Sequence, residues 1–172
     1  DILVIKLKNA KNIIRNFYKI SEGVLAFQEN DIINGINYAS MYANSERKPV
    51  SMCIGLGSNS GGHTGLGFLD KFVERIGGSK EKSISVAAGN EGSARHHYEG
   101  TIENGTDVME INVAQDENGF VLEVWGEVPS VFAVGIESPI GGKIDRIPPR
   151  FENIDRIELF IEGTKIEVYY KL

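Results

Sequence analysis

The sequence predicts an α/β region followed by an all-β region, and three observations carry that division. Residues 1–100 alternate short apolar runs with helical patterns, as strand-helix-strand units around a parallel sheet do. From Thr101 onward the helical period disappears and strand-like runs are punctuated by turn residues. Charge changes at the same point: residues 1–100 carry 12 basic and 10 acidic side chains, net +2, whereas residues 101–172 carry 6 and 14, net −8. The expected domains are therefore 1–100 and 101–172.

Each element has its own signal. Ile2 to Leu7 reads as a first strand. A helix is expected from Asp31 to Ala43, because Ile32, Ile33, Ile36, Ala39 and Ala43 recur at spacings of three and four, with Asn30 as N-cap. Pro49 reopens an extended segment, Val50 to Ile54, and a glycine-rich loop runs from Gly55 to Gly65. Leu66, Leu69, Phe72, Val73 and Ile76 then mark a second amphipathic helix that Gly77-Gly78 ends. Ser83 to Ala88 reads as a buried strand.

In the β region, Val108 to Ala114 and Phe120 to Trp125 flank Asn118-Gly119, a strong hairpin signal. Ser138-Pro139 with Gly141-Gly142, and Glu162-Gly163-Thr164 before Ile166 to Tyr170, repeat that logic, and Asn104-Gly105-Thr106 reads as a turn. The whole region is expected to form a sandwich or jelly-roll piece, with Trp125 in its core.

Composition narrows the function. At 172 residues, with 41% hydrophobic and 24% charged side chains, the chain is of ordinary globular type. A net charge of −6 argues against a nucleic-acid partner, since phosphate neutralisation needs Lys and Arg. No apolar run approaches the ~18 residues that span a bilayer, so no membrane partner is expected. The single Cys53 excludes an internal disulfide framework and, inside an apolar strand, reads as a small core residue. Asp1 leads straight into Ile2-Leu3-Val4-Ile5, as in a piece trimmed from a longer protein.

Several candidate sites compete. Gly57, Gly62, His63 and Thr64 match the spacing of a Walker A loop, but histidine stands where a lysine must neutralise phosphate. His63, His96 and His97 are the only histidines. Adjacent residues on a regular element point apart, so His96-His97 reads as surface loop rather than metal site. No metal or cofactor is expected. No serine sits in a Gly-x-Ser-x-Gly elbow. Ser83 to Gly92 offers more: a strand ends in the small residues Ala87, Ala88 and Gly89 and then presents Asn90, whose amide can donate to a developing oxyanion. An Asn-Glu-Gly turn, favoured for conformational reasons alone, is the competing reading.

Val86-Ala87-Ala88-Gly89-Asn90-Glu91-Gly92 resembles the oxyanion-hole strand and loop of subtilisin-like serine proteases. Asp31 to Ala39 resembles the subtilase helix before the substrate-binding strand, and Val50 to Gly57 resembles that strand, with Gly55 where the family usually has serine. Phe120 to Gly126 and Arg146-Ile147-Pro148-Pro149-Arg150 look like the jelly-roll insertion of clostridial germination-type subtilases.

The resemblance implies a partial subtilase-type parallel sheet, a serine acyl-enzyme mechanism and a polypeptide substrate. Asn90 would be the catalytic oxyanion donor. Gly55, Leu56 and Gly57 would form one substrate-binding wall, and Ala87, Ala88 and Gly89 the other. The family's catalytic Asp, His and Gly-Thr-Ser-Met-Ala serine segments have no match in the sequence, so this chain alone is expected to be inert. Its expected partner is the remainder of the same protease chain, or a second copy through open sheet edges, in a bacterial, spore-associated setting. A pseudoprotease or a non-catalytic module whose acidic half docks a basic protein is the alternative.

Overall fold

The computed structural model describes residues 1–103, 105–150 and 152–171; Asn104 of the expected turn lies outside them. By contacts the chain forms two units, Asp1–Val124 and Trp125–Leu172. The change in charge lies at residue 100, and the change in contacts falls after Val124.

The first unit is organised around two strands, β1 (Val50–Ile54) and β2 (Lys82–Val86), paired in parallel with Ile54 opposite Val86. Parallel strands need a crossover, and α3 (Phe68–Gly77) supplies it. Its start differs slightly from the expected one. Leu66 remains outside and exposed, Gly67 is the N-cap, and Asp70 Oδ2 accepts from the Gly67 N–H at 3.1 Å. Gly78 ends the helix by donating to the Glu74 carbonyl at 2.9 Å.

The preceding helix, α2 (Glu29–Glu46), buries Ile36, Ala39 and Ala43 as the three-and-four spacing requires. It begins before Asn30. Gln28 is the cap residue, because its carbonyl already accepts from Asp31 and Ile32, while its side chain accepts from the Lys11 N–H. A short α1 (Asn12–Phe17) has no periodic signal in the sequence. It is held by Arg15, which donates to the carbonyls of Ser21 and Val24, both at 2.7 Å.

Ile2 to Leu7 does not form a strand. The segment lies against α2, where a Cβ on Gly35 would be 3.4 Å from the Ile5 side chain, but it has no ladder among the described residues. Ile2 is 93% exposed. Cys53 is exposed too, contrary to its reading as core. The cause is the pleat: Met52, Ile54 and Ile84 point to the side on which α3 packs, and Ser51, Cys53, Ser83 and Ser85 point to the other face, where they are exposed among the described residues.

The segment from Thr101 to Val124 contains no strand among the described residues, so the Asn118-Gly119 hairpin is not formed. The chain turns instead at Ala114, whose carbonyl accepts from Glu117, and Gly119 donates to the Glu117 carboxylate. Val108 is 82% exposed, as expected of an alternating run without an opposing layer.

The second unit has two antiparallel hairpins. One joins β3 (Val134–Glu137) to β4 (Lys143–Ile147), and the other joins β5 (Ile154–Leu159) to β6 (Thr164–Tyr169). Both turns fall where turn chemistry placed them. Ser138 donates to the Gly142 carbonyl at 2.7 Å, and Gly141 and Gly163 adopt φ of +88° and +66°. The Tyr170 hydroxyl pins the hairpins together, donating to the Ile147 carbonyl at 2.7 Å and accepting from the Val134 N–H at 3.2 Å. Trp125 is 63% exposed rather than core, and it lies outside the strands found among the described residues.

Exposed surface totals 14474 Å². Two separately compact units of these sizes would expose roughly 10,000 Å². No large side chain is fully buried among the described residues.

Candidate functional site

Parallel pairing decides where the candidate residues fall. Strands running the same way end on the same side of the sheet, and the Ala87 N–H donates to the Ile54 carbonyl at 3.0 Å, one step beyond the ladder. Gly55, Leu56 and Gly57 therefore leave β1 beside Ala87, Ala88 and Gly89 leaving β2. This is the end of an open α/β sheet at which ligands bind.

The local chain is open there. A Cβ on Gly55, Gly57 or Gly89 would meet nothing within 4 Å, and Gly89 has φ +81°, a conformation that favours glycine. Asn90 follows, exposed, and its carboxamide makes no hydrogen bond among the described residues. Leu56 is half-buried, and the other five residues flanking Asn90's loop and the β1 end are exposed.

Beyond these residues, the two loops are clasped by side chains. Asn59 Nδ2 donates to Glu91 Oε2 at 2.8 Å and lies 3.3 Å from His96 Nδ1, which is 3.2 Å from the same carboxylate oxygen. A ring nitrogen carries a lone pair or a proton, never both. With Nδ1 unprotonated His96 accepts from Asn59, and with Nδ1 protonated it donates to Glu91. The hydrogen bond from Asn59, followed by that from His96, holds the Glu91 carboxyl below its ordinary range.

A second layer of contacts adjoins the clasp. The His63 ring stacks on His97 with centroids 4.7 Å apart, and His63 Nε2 is 3.3 Å from the Asn59 carbonyl. The Gly61 N–H donates to Glu123 at 2.8 Å. His63 and Arg95 both adopt left-handed φ, +53° and +57°. The three histidines are thus loop residues that connect the loops, a role their separation in sequence gives no hint of. Among the described residues, no group of three or more His, Cys, Asp or Glu is placed to hold a metal ion, and no helix is long and apolar enough to cross a membrane.

No protein-family model matches the chain, and no curated protein matches it. Among solved structures, the CspB protease of Clostridium perfringens is similar, with a TM-score of 0.69 and 26% sequence identity over 87% of this chain. The chain spans 32% of that protease's length. The likeness relates this chain to part of a protease.

Proposed function

We propose that this chain is the central segment of a subtilisin-like serine endopeptidase, with Asn90 as oxyanion donor and residues 55–57 and 87–89 as parts of the substrate cleft. The observation that carries this reading is convergence. Two glycine-rich strand ends lie side by side, and an exposed carboxamide with no hydrogen bond among the described residues follows one of them.

The chemistry follows from that arrangement. A serine Oγ supplied by the rest of the protease adds to the scissile carbonyl, while a histidine accepts its proton. Charge moves onto the carbonyl oxygen, and Asn90 Nδ2–H donates to it. A neutral donor suits this role, because it stabilises developing charge without fixing a counterion. The extended polypeptide substrate pairs its main chain with Gly55 to Gly57, and small residues at 87–89 leave room beside the reacting bond.

The same reading assigns residues 101–172 to a jelly-roll insertion and the remainder of the protease chain to the bare face of β1 and β2. A parallel sheet is ordinarily covered on both faces, and Ser51, Cys53, Ser83 and Ser85 are small enough to permit close approach. Alone, the chain is expected to pair with a second copy through its open edges, raising its mass with concentration in light scattering.

The test is direct. The 172-residue chain should neither cleave a peptide nor react with a serine-directed phosphonate, and the longer protein should do both. Labelling of the short chain overturns the assignment. An unreactive longer protein that still binds peptide would make it a pseudoprotease.

A further inference from the structure

Asn90 has no hydrogen bond of its own to aim it, so its orientation depends on what holds the chain on either side. Before it, the last fixed point is Ala87, whose N–H donates to the Ile54 carbonyl at 3.0 Å. Gly89, at φ +81°, then turns the chain without a side chain that could grip a neighbour. Among the described residues, Ala88, Gly89, Asn90, Gly92 and Ser93 make no hydrogen bond.

Glu91 differs from these neighbours because it is anchored twice. Its carbonyl accepts from the Ala94 N–H at 2.8 Å, which closes a local turn. Its Oε2 accepts from Asn59 Nδ2 at 2.8 Å, across 32 positions and two residues beyond Gly57 of the opposite wall, and lies 3.2 Å from His96 Nδ1. Asn59 is braced in turn, with its carbonyl 3.3 Å from His63 Nε2 and the His63 ring stacked on His97. Residues 88–90 thus bridge two fixed ends, Ala87 on the sheet and Glu91 on the clasp. Three residues reach roughly 10 Å at most, so holding both ends restricts the directions in which Asn90 can point.

We infer that Glu91 is a positioning residue: by accepting from Asn59 across the two loops, its carboxylate fixes the aim of the adjacent Asn90 carboxamide. Its catalytic importance rests on the reading of Asn90 as oxyanion donor. A donor already aimed at one point stabilises developing charge without reorienting in the transition state, whereas a freely turning one must be ordered at that moment. What the role requires of residue 91 is an acceptor oxygen rather than a charge, because Asn59 is a neutral donor.

Two measurements test this, one on the 172-residue chain and one on the longer protein. In amide relaxation NMR of the 172-residue chain, Glu91→Ala should lower the backbone order parameters of residues 89–91 to below about 0.6 and free the Asn90 side-chain amide. Asn59→Ala, which removes the partner on the other loop, should do the same, and Glu91→Gln, which keeps the acceptor, should not. Unchanged β1 and β2 amides separate loss of the clasp from unfolding, and if Glu91→Ala disturbs them, Asn59→Ala decides by the same criteria. In the longer protein, Glu91→Ala should lower kcat about fivefold with little change in KM, and Glu91→Gln should leave kcat near that of the parent. On an Asn90→Ala background, Glu91→Ala should have no further effect, since the two act through one group. Order parameters that both alanine variants leave unchanged, or that Glu91→Gln lowers equally, overturn the positioning role, as does a Glu91→Ala loss that persists in full beside Asn90→Ala. An unchanged kcat in Asn90→Ala overturns the oxyanion reading instead, and the order parameters then still decide whether Glu91 fixes Asn90.

Discussion

The parallel pair β1/β2 and the hairpins β3/β4 and β5/β6 satisfy the same backbone needs by different means. Each hairpin closes over a turn of a few residues, so pairing and turn are specified within about fifteen positions. The parallel pair joins residues 32 apart, such as Val50 and Lys82, and depends on α3 to bridge them. The hairpins are complete as pairs. All three pairs are two-stranded and have open edges; among the described residues the parallel pair also has one bare face, where Cys53 and three serines are exposed. A local pair is specified by its own turn, whereas a parallel pair depends on a crossover between distant residues. The candidate site lies at the end of the pair that has the bare face.

The strongest way to break that comparison is at Asn90. On the proposed reading, Asn90→Ala in the longer protein should lower kcat by the roughly 10²–10³-fold found when subtilisin loses its oxyanion asparagine, with little change in KM. A change in KM alone would make Asn90 a turn residue. The next largest effect concerns the bare face. Cys53 in the 172-residue chain should alkylate without denaturant roughly tenfold or more faster than in the longer protein, since access controls thiol reaction rates. Equal rates would mean that nothing covers that face.

The hairpin side of the comparison predicts a moderate change. Tyr170→Phe removes the hydroxyl between Val134 and Ile147 and should cost the second unit about 1–2 kcal/mol, read from hydrogen exchange of the β3–β6 amides. Exchange in β1 and β2 should not respond.

The smallest expected effect is at the loop clasp. Asn59→Ala should let the Glu91 carboxyl rise toward its ordinary range, followed by carboxyl-carbon NMR. A folded-state value below the unfolded one contributes stability that is present above the unfolded value and is lost as pH falls through the folded value. The clasp should therefore hold at neutral pH and loosen in acid below the ordinary glutamate range, more readily in the variant.

Legibility in the sequence followed the range of each signal. The buried stripe of α2, the stop at Gly78, and the turns at Ser138–Gly142 and Glu162–Thr164 rest on neighbours within a few positions, and all were readable. Ile2 to Leu7, Cys53 and Trp125 depart from expectation for one reason: apolar character signals a preference for burial without saying that a partner surface exists. The Asn118-Gly119 hairpin failed similarly, since a turn signal forms a hairpin only when its flanks pair.

The acidic excess of residues 101–172 also reads differently beside the structure. Six of its fourteen acidic side chains, and none of its basic ones, lie in residues 101–124. That strandless segment supplies Glu123 to the Gly61 N–H in the first unit.

By itself the sequence determined the helices with an apolar stripe, the positions of two turns, and the small-residue strand end leading to Asn90. Those features depend on steric and hydrogen-bonding preferences that act between near neighbours. Only the tertiary structure decided that Gly55–Gly57 and Ala87–Asn90 emerge side by side, and that Asn59, Glu91 and His96 meet across 32 and 37 positions. Strand direction and register set those meetings, and register is a property of the paired chain that no short stretch of residues contains.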